Sequence, residues 1–211
     1  MKIALSFLTF LLLCASAPGT SQAAADPTAD IARLQQRWAE VNYQLEGKTQ
    51  LTAFEQLIQD ADAITTANPD SAGAYIWSGI VKSSYAGAKG GLGAMKLAKA
   101  SRADLERAME LDAQALQGSA YTSLGTLYFK VPGWPVGFGD EEKAEELLRK
   151  ALALNPDGID PNYFYGEFLF DEDDYAGAKK HLEKALKAAP RPNRQSADEG
   201  RRKEIRVLLA K

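Results

Sequence analysis

The chain has 211 residues, 45% hydrophobic and 25% charged, with a formal net charge of −3. That length favours one domain with a buried core. Cys14 is the only cysteine, which excludes disulfides and, if the first residues are removed, also thiolate nucleophiles and Cys-based metal sites. The charge is uneven: residues 26–190 carry 17 Lys/Arg against 25 Asp/Glu, and residues 191–211 carry 7 against 3. Neither segment has the basic, aromatic-interleaved face that nucleic-acid recognition needs. The basic tail reads as a complement to a helix end.

The amino terminus reads as an export signal. Lys2 supplies the positive end, Ile3 to Cys14 the apolar stretch, and Ala23-Ala24-Ala25 a small-residue cleavage site. Cleavage after Ala25 would leave a periplasmic chain of 186 residues. The alternative is a lipoprotein acylated at Cys14, although Leu13 stands where such signals carry Gly or Ala. No later stretch approaches about 18 apolar residues, so no membrane span is expected in the mature chain.

Ile31, Leu34, Trp38, Val41 and Leu45 follow helical spacing and predict a helix over 29–46. Gly47 and Lys48 read as a break. Phe54, Leu57, Ile58, Ala61 and Ile64 mark a second helix, ended by Asn68-Pro69-Asp70. A third helix is expected from Ser71 to Ala88, and its partner carries Leu97, Ser101, Leu105, Ala108 and Leu111. Between them, Gly87 to Gly93 reads as a glycine-rich loop. Helices are expected near 118–130 and 140–154, with Asp140 as N-cap and a Pro/Gly-rich insertion at 131–139 between them. A further pair runs from Ile159 to Ala189, turning at Asp171 to Asp174. Ser196-x2-Glu199 is a capping-box pattern before Ile205, Leu208 and Leu209.

The later helices repeat. Ala144, Leu148, Ala151 and Pro156 recur as Ala178, Leu182, Ala185 and Pro190, each pair 34 residues apart. Ahead of them stand Tyr121-x2-Leu124-Gly125-x2-Tyr128 and Asn162-x2-Tyr165-Gly166-x2-Leu169. Small residues on one stripe let a second helix approach closely. This 34-residue helix-turn-helix pattern resembles the tetratricopeptide repeat. The resemblance implies an all-α, right-handed helical solenoid of about four helix pairs plus a C-terminal capping helix. The expected units are a degenerate pair at 26–70, a second pair at 71–117, repeat units at 118–158 and 159–192, and a capping helix at 193–211 over the end of the stack.

The sequence is poor in catalytic constellations. His181 is the only histidine and has no sequence-level relay partner. Neither a G-x-S-x-G elbow nor an HExxH is present. Gly90-Gly91-Leu92-Gly93 lacks the ending of a phosphate-binding loop, and Asp171 to Asp174 lacks the ligand alternation of a calcium loop. No catalytic residue, cofactor or metal is therefore expected. The aromatic loop at 131–139 can either fold Trp134 and Phe138 back onto the stack or present them at a binding site. In the repeat family the first helix of each unit lines the partner-binding concave face. By that resemblance Thr122, Thr126, Phe129, Tyr163, Glu167 and Phe170 would face the groove.

The resemblance implies a non-enzymatic periplasmic scaffold that binds a protein or peptide through its concave face. The layout is also similar to the periplasmic repeat subunits that accompany TRAP-type transporters. That alternative implies an accessory protein with a small hydrophobic ligand and a substrate-binding partner, its channel lined by the insertions at 83–93 and 131–139. A scaffold should show a polar, aromatic-edged concave face without an enclosed cavity. A carrier should show an apolar pocket edged by Trp134 or Phe138.

Overall fold

The computed structural model describes residues 26–211; the expected export signal lies outside the described residues. Among them are nine helices: α1 (Thr28–Gln44), α2 (Gly47–Ala67), α3 (Ala72–Lys89), α4 (Gly91–Asp112), α5 (Ala115–Lys130), α6 (Glu141–Leu154), α7 (Ile159–Asp171), α8 (Tyr175–Leu186) and α9 (Gln195–Leu209). They form four antiparallel pairs stacked in order, followed by α9. The architecture is the all-α helical-repeat solenoid that the 34-residue period implies.

Each of the last three pairs closes around one small residue. A Cβ built at Gly79 would lie 2.6 Å from Leu105 Cγ, one at Gly125 2.9 Å from Leu148 Cγ, and one at Gly166 3.0 Å from Leu182 Cγ. At Gly125 the carbonyl of Ala144 is also only 3.1 Å away. The glycine of the first helix and the leucine of the second thus make the same contact in three successive units. The first pair lacks this glycine, and there Gln50 Nε2 instead donates to the Val41 carbonyl at 3.0 Å. Asp140 and Asp174 cap α6 and α8 by accepting from Lys143 N and Gly177 N.

Several local readings change. Leu45 and Glu46 make the first break, and Gly47 already opens α2 with φ +57°. The expected glycine-rich loop does not form. α3 continues to Lys89 and α4 begins at Gly91, so the extra residues lengthen two helices around the single turning residue Gly90, φ +60°. α5 is regular only after Gly118, because Leu116, Gln117 and Gly118 hold left-handed φ values of 48°, 57° and 76°.

The largest difference concerns α9. It does not merely cover the end of the stack. It packs on α7 and α8 and also reaches back to α1, joining the last unit to the first. Ala197 enters the core formed by α1, α2 and α3, and Gly200 lies flat on the Tyr43 ring, where a Cβ would come within 2.4 Å. The capping box is not used: α9 starts at Gln195, so Ser196 is already helical and no side chain caps that end. Asp198, buried, instead turns back and accepts from Arg191 N at 2.9 Å and Arg191 Nε at 2.7 Å.

An ion network fastens α9. Asp160 at the start of α7 receives Arg191 Nη1 on one oxygen and Arg201 Nε, at 2.9 Å, on the other. Arg201 Nη1 also reaches Glu204 at 2.6 Å, and Glu204 lies 3.4 Å from the Tyr43 hydroxyl of α1. Burial pushes the Asp160 carboxyl up, but Arg201 and Arg191 outweigh it and hold the group at about 2. The basic tail predicted to meet a helix end thus meets carboxylates, among them Asp160 at the start of α7.

Gly125→Val should lower the free energy of unfolding by about 2 kcal/mol or more, through overlap with Leu148 and the Ala144 carbonyl. Gly87→Ala, helical and with nothing within 4 Å of its Cβ position, should raise it by about 0.5–1 kcal/mol; urea unfolding compares the two. For Asp160 the folded value lies below the ordinary 3.8, so its contribution is present above that pH and is lost as pH falls towards 2. Acid titration of stability should therefore lose on the order of 2 kcal/mol in that window. Asp160→Asn should be less stable at neutral pH and should lack that acid step.

Candidate functional site

The inner face of the stack is built from the first helix of each pair. α1 contributes Gln35, Trp38 and Asn42; α3 contributes Trp77, Ile80, Ser83 and Ser84; α5 contributes Ser119, Thr122, Ser123, Thr126 and Lys130. The start of α7 adds Asp160 and Phe164, and the closing segment adds Arg191, Arg194, Arg201 and Glu204. Because α9 spans from α7 to α1, these residues line a partly enclosed cavity of about 910 Å³. That volume lies in the range of about 300–1,000 Å³ usual for ligand pockets.

The lining combines aromatic rings with hydroxyls. Trp38 and Trp77 meet edge to face at 5.7 Å, and Trp38 Nε1 donates to Ser84 Oγ at 2.9 Å, which fixes both indoles. Along α5 the hydroxyls of Thr122 and Thr126 stand one turn apart, and Thr126 Oγ1 donates to the Thr122 carbonyl at 2.8 Å. Leu116 and Gln117, in left-handed backbone, form part of the rim. Such conformations cost about 1–3 kcal/mol each for ordinary residues and need surrounding structure to hold them.

Of the residues singled out by sequence, Thr126 lines this cavity, together with Thr122. The others lie elsewhere. Phe129 packs edge to face on Phe168 at 5.5 Å, with Lys130 above it, between α5 and α7. Tyr163 is buried beneath α9 with the Arg201 guanidinium 4.4 Å from its ring, and burial raises its hydroxyl pKa. Its expected place on an open groove is taken by α9, whose apolar face needed cover. Phe170 packs on Tyr175 at 5.2 Å and on the C-terminal core. Glu167 is held by Lys130 at 3.0 Å.

The two aromatics of the 131–139 loop part company. Phe138 folds back onto Tyr128, ring centroids 5.6 Å apart, with Arg102 over its other face at 4.5 Å. Trp134 points outward and is 90% exposed. Neither borders the cavity; the loop reaches it through Val131 and Pro132.

Sequence reasoning missed Trp77, Gln35, Asn42, Phe164 and the arginines of the closing segment. The one available signal was the reversal of charge after Pro190. His181 is structural: its Nδ1 lies 3.0 Å from Asn162 Oδ1, and its ring meets the edge of Tyr165. Burial lowers its pKa, so it is neutral near pH 7. Among the described residues no group of three or more His, Cys, Asp or Glu stands ready to hold a metal ion, and no helix is long and apolar enough to cross a membrane.

Residues 136–197 match the family described as tetratricopeptide repeat. Among curated proteins none matches the chain. Among solved structures, the thermophilic TPR protein TTC0263 of Thermus thermophilus superposes with a TM-score of 0.61 at 18% identity, over 89% of this chain and 83% of that one. MamA gives a TM-score of 0.46 at 19% identity, over 75% and 86% of the two chains. YrrB, described as a TPR protein with an unusual peptide-binding site, gives 0.42 at 17%, over 89% and 91%. At such identities the first likeness is one of fold, and the other two are too distant to carry an argument. Residues 136–197 thus carry tetratricopeptide repeat sequence, within a chain whose helices form a tetratricopeptide-repeat-like solenoid.

Proposed function

We propose that this protein is a non-enzymatic binding module that takes a short segment of a partner protein into the cavity between α1, α3, α5, α7 and α9. The observation that carries this reading is the lining itself. Hydroxyls and amides of Gln35, Asn42, Ser83, Ser119, Thr122 and Ser123, from α1, α3 and α5, line the cavity. A peptide backbone presents a donor and an acceptor at each residue, and these groups can satisfy both. Trp38, Trp77 and Phe164 add apolar surface for side chains.

The second reading is an accessory protein for a small hydrophobic ligand, of the TRAP-associated kind. It is favoured by the closure of the groove into a cavity. It is disfavoured by the many polar groups of the lining, which an apolar ligand would leave without hydrogen bonds. Placement in the periplasm after loss of residues 1–25 belongs to the proposal and rests on the sequence pattern of Lys2, the apolar run and Ala23 to Ala25.

A photo-crosslinking amino acid placed at Thr126, inside the cavity, should capture a partner segment in native cells. The same probe at Lys99 on the outer helix α4 should capture nothing. Capture from Lys99 alone would transfer binding to the convex face and defeat the proposal. For export, amino-terminal sequencing of the protein from the producing cell should begin at Asp26; a chain retaining Met1, or one acylated at Cys14, would refute cleavage after Ala25.

A further inference from the structure

The charged groups around the cavity are matched almost completely. Lys130 pairs with Glu167, and Asp157 with Lys184. Arg191 is shared between Asp160 and Asp198, and Arg201 between Asp160 and Glu204. Arg194 is different. Among the described residues no carboxylate stands at ion-pair distance from it, and its Nε is shielded from solvent without a hydrogen-bond partner. Residues 1–25 contain no Asp or Glu, so they hold no carboxylate side chain to supply the counter-charge.

The position of this cation is defined. Its guanidinium lies 4.8 Å from the ring of the buried Trp77, which packs against Trp38. Arg194 is also the N-cap residue of α9, an end that no side chain caps. Burial and then the neighbouring Arg191 disfavour the charge on Arg194 and outweigh the attraction of the nearby Asp160 and Asp198, so an incoming anion would supply the close partner that these two do not.

We propose that Arg194 is the anion-recognising residue of the cavity, pairing with an Asp or Glu side chain of the bound segment while Trp77 and Trp38 hold the adjoining apolar residue. This deepens the peptide-binding reading and rests on it. A carboxylate is favoured over a phosphate because Arg194 is a single cation without a close partner, and the nearby Asp160 and Asp198 would repel a second negative charge. The planar fork of Arg also suits the two oxygens of a carboxylate.

The test uses short peptides with blocked termini, in pairs that differ only by Glu or Gln at one position, displayed as an array and titrated by calorimetry. The protein should prefer Glu over Gln at one position by about tenfold. Arg194→Gln should erase that preference, and Arg194→Lys should restore part of it. Circular dichroism should give both variants the parent helix content. Peptides bound without a Glu preference, or a preference that survives Arg194→Gln, would overturn the anion subsite and leave peptide binding standing. Phenylpropionate as a probe separates the two ideas. If it binds the parent but not Arg194→Gln and no peptide binds, Arg194 remains a carboxylate site and the peptide reading fails. If neither probe binds, both fail.

Discussion

Asp160 receives two arginines from the C-terminal segment, and the inner face of the molecule depends on that meeting. Without it α9 would keep its apolar stripe and the contacts of Asp198 with Arg191 and of Glu204 with Tyr43, but would lose its ionic tie to α7. With it, α9 is drawn from α7 across to Tyr43 of α1, and the first and last units become neighbours. Each carboxylate of the network answers more than one donor. That compensation offsets the desolvation penalty that burial imposes on these ionised groups.

The closure changes what the repeats can do. In an open stack Tyr163 and Phe170 would be available to a partner, whereas here they form the seat of α9. The surface left for recognition shifts toward α1, α3 and α5, whose two indoles and several hydroxyls line the cavity. The insertion at 131–139 contributes mainly by packing Phe138 onto Tyr128 and does not line the cavity with aromatic rings. The glycine-rich stretch serves length: two helices extended around Gly90 deepen the wall carrying Ser83, Ser84 and Met95.

The network also leaves an asymmetry in the charges. Arg191 and Arg201 are engaged in holding the structure together, and Arg194, between them in sequence, is not. Three arginines within eleven residues, all lining the cavity, thus divide into two that fasten a helix and one that lies on Trp77 without a carboxylate at ion-pair distance among the described residues. Composition alone cannot make that division, because it depends on which guanidinium finds Asp160 and Asp198 and which finds the Trp77 ring.

What the sequence determined by itself is the part of the structure written in short-range periodicity. Helical stripes, the Gly125–Leu148 and Gly166–Leu182 contacts and the aspartate caps at Asp140 and Asp174 all depend on residues within one 34-residue unit. Their spacing is therefore visible without the fold. The candidate cavity was legible through Thr122 and Thr126 and through the segments 83–93 and 131–139, of which Ser83, Ser84, Gly87, Val131 and Pro132 reach it. Its remaining walls bring together Trp38 and Trp77, Arg194 and Trp77, Tyr43 and Glu204, pairs separated by one to several units. Such pairs are set by the accumulated curvature of the stack and by where α9 finds its countercharges. Neither leaves a local pattern, so only the tertiary structure decided them.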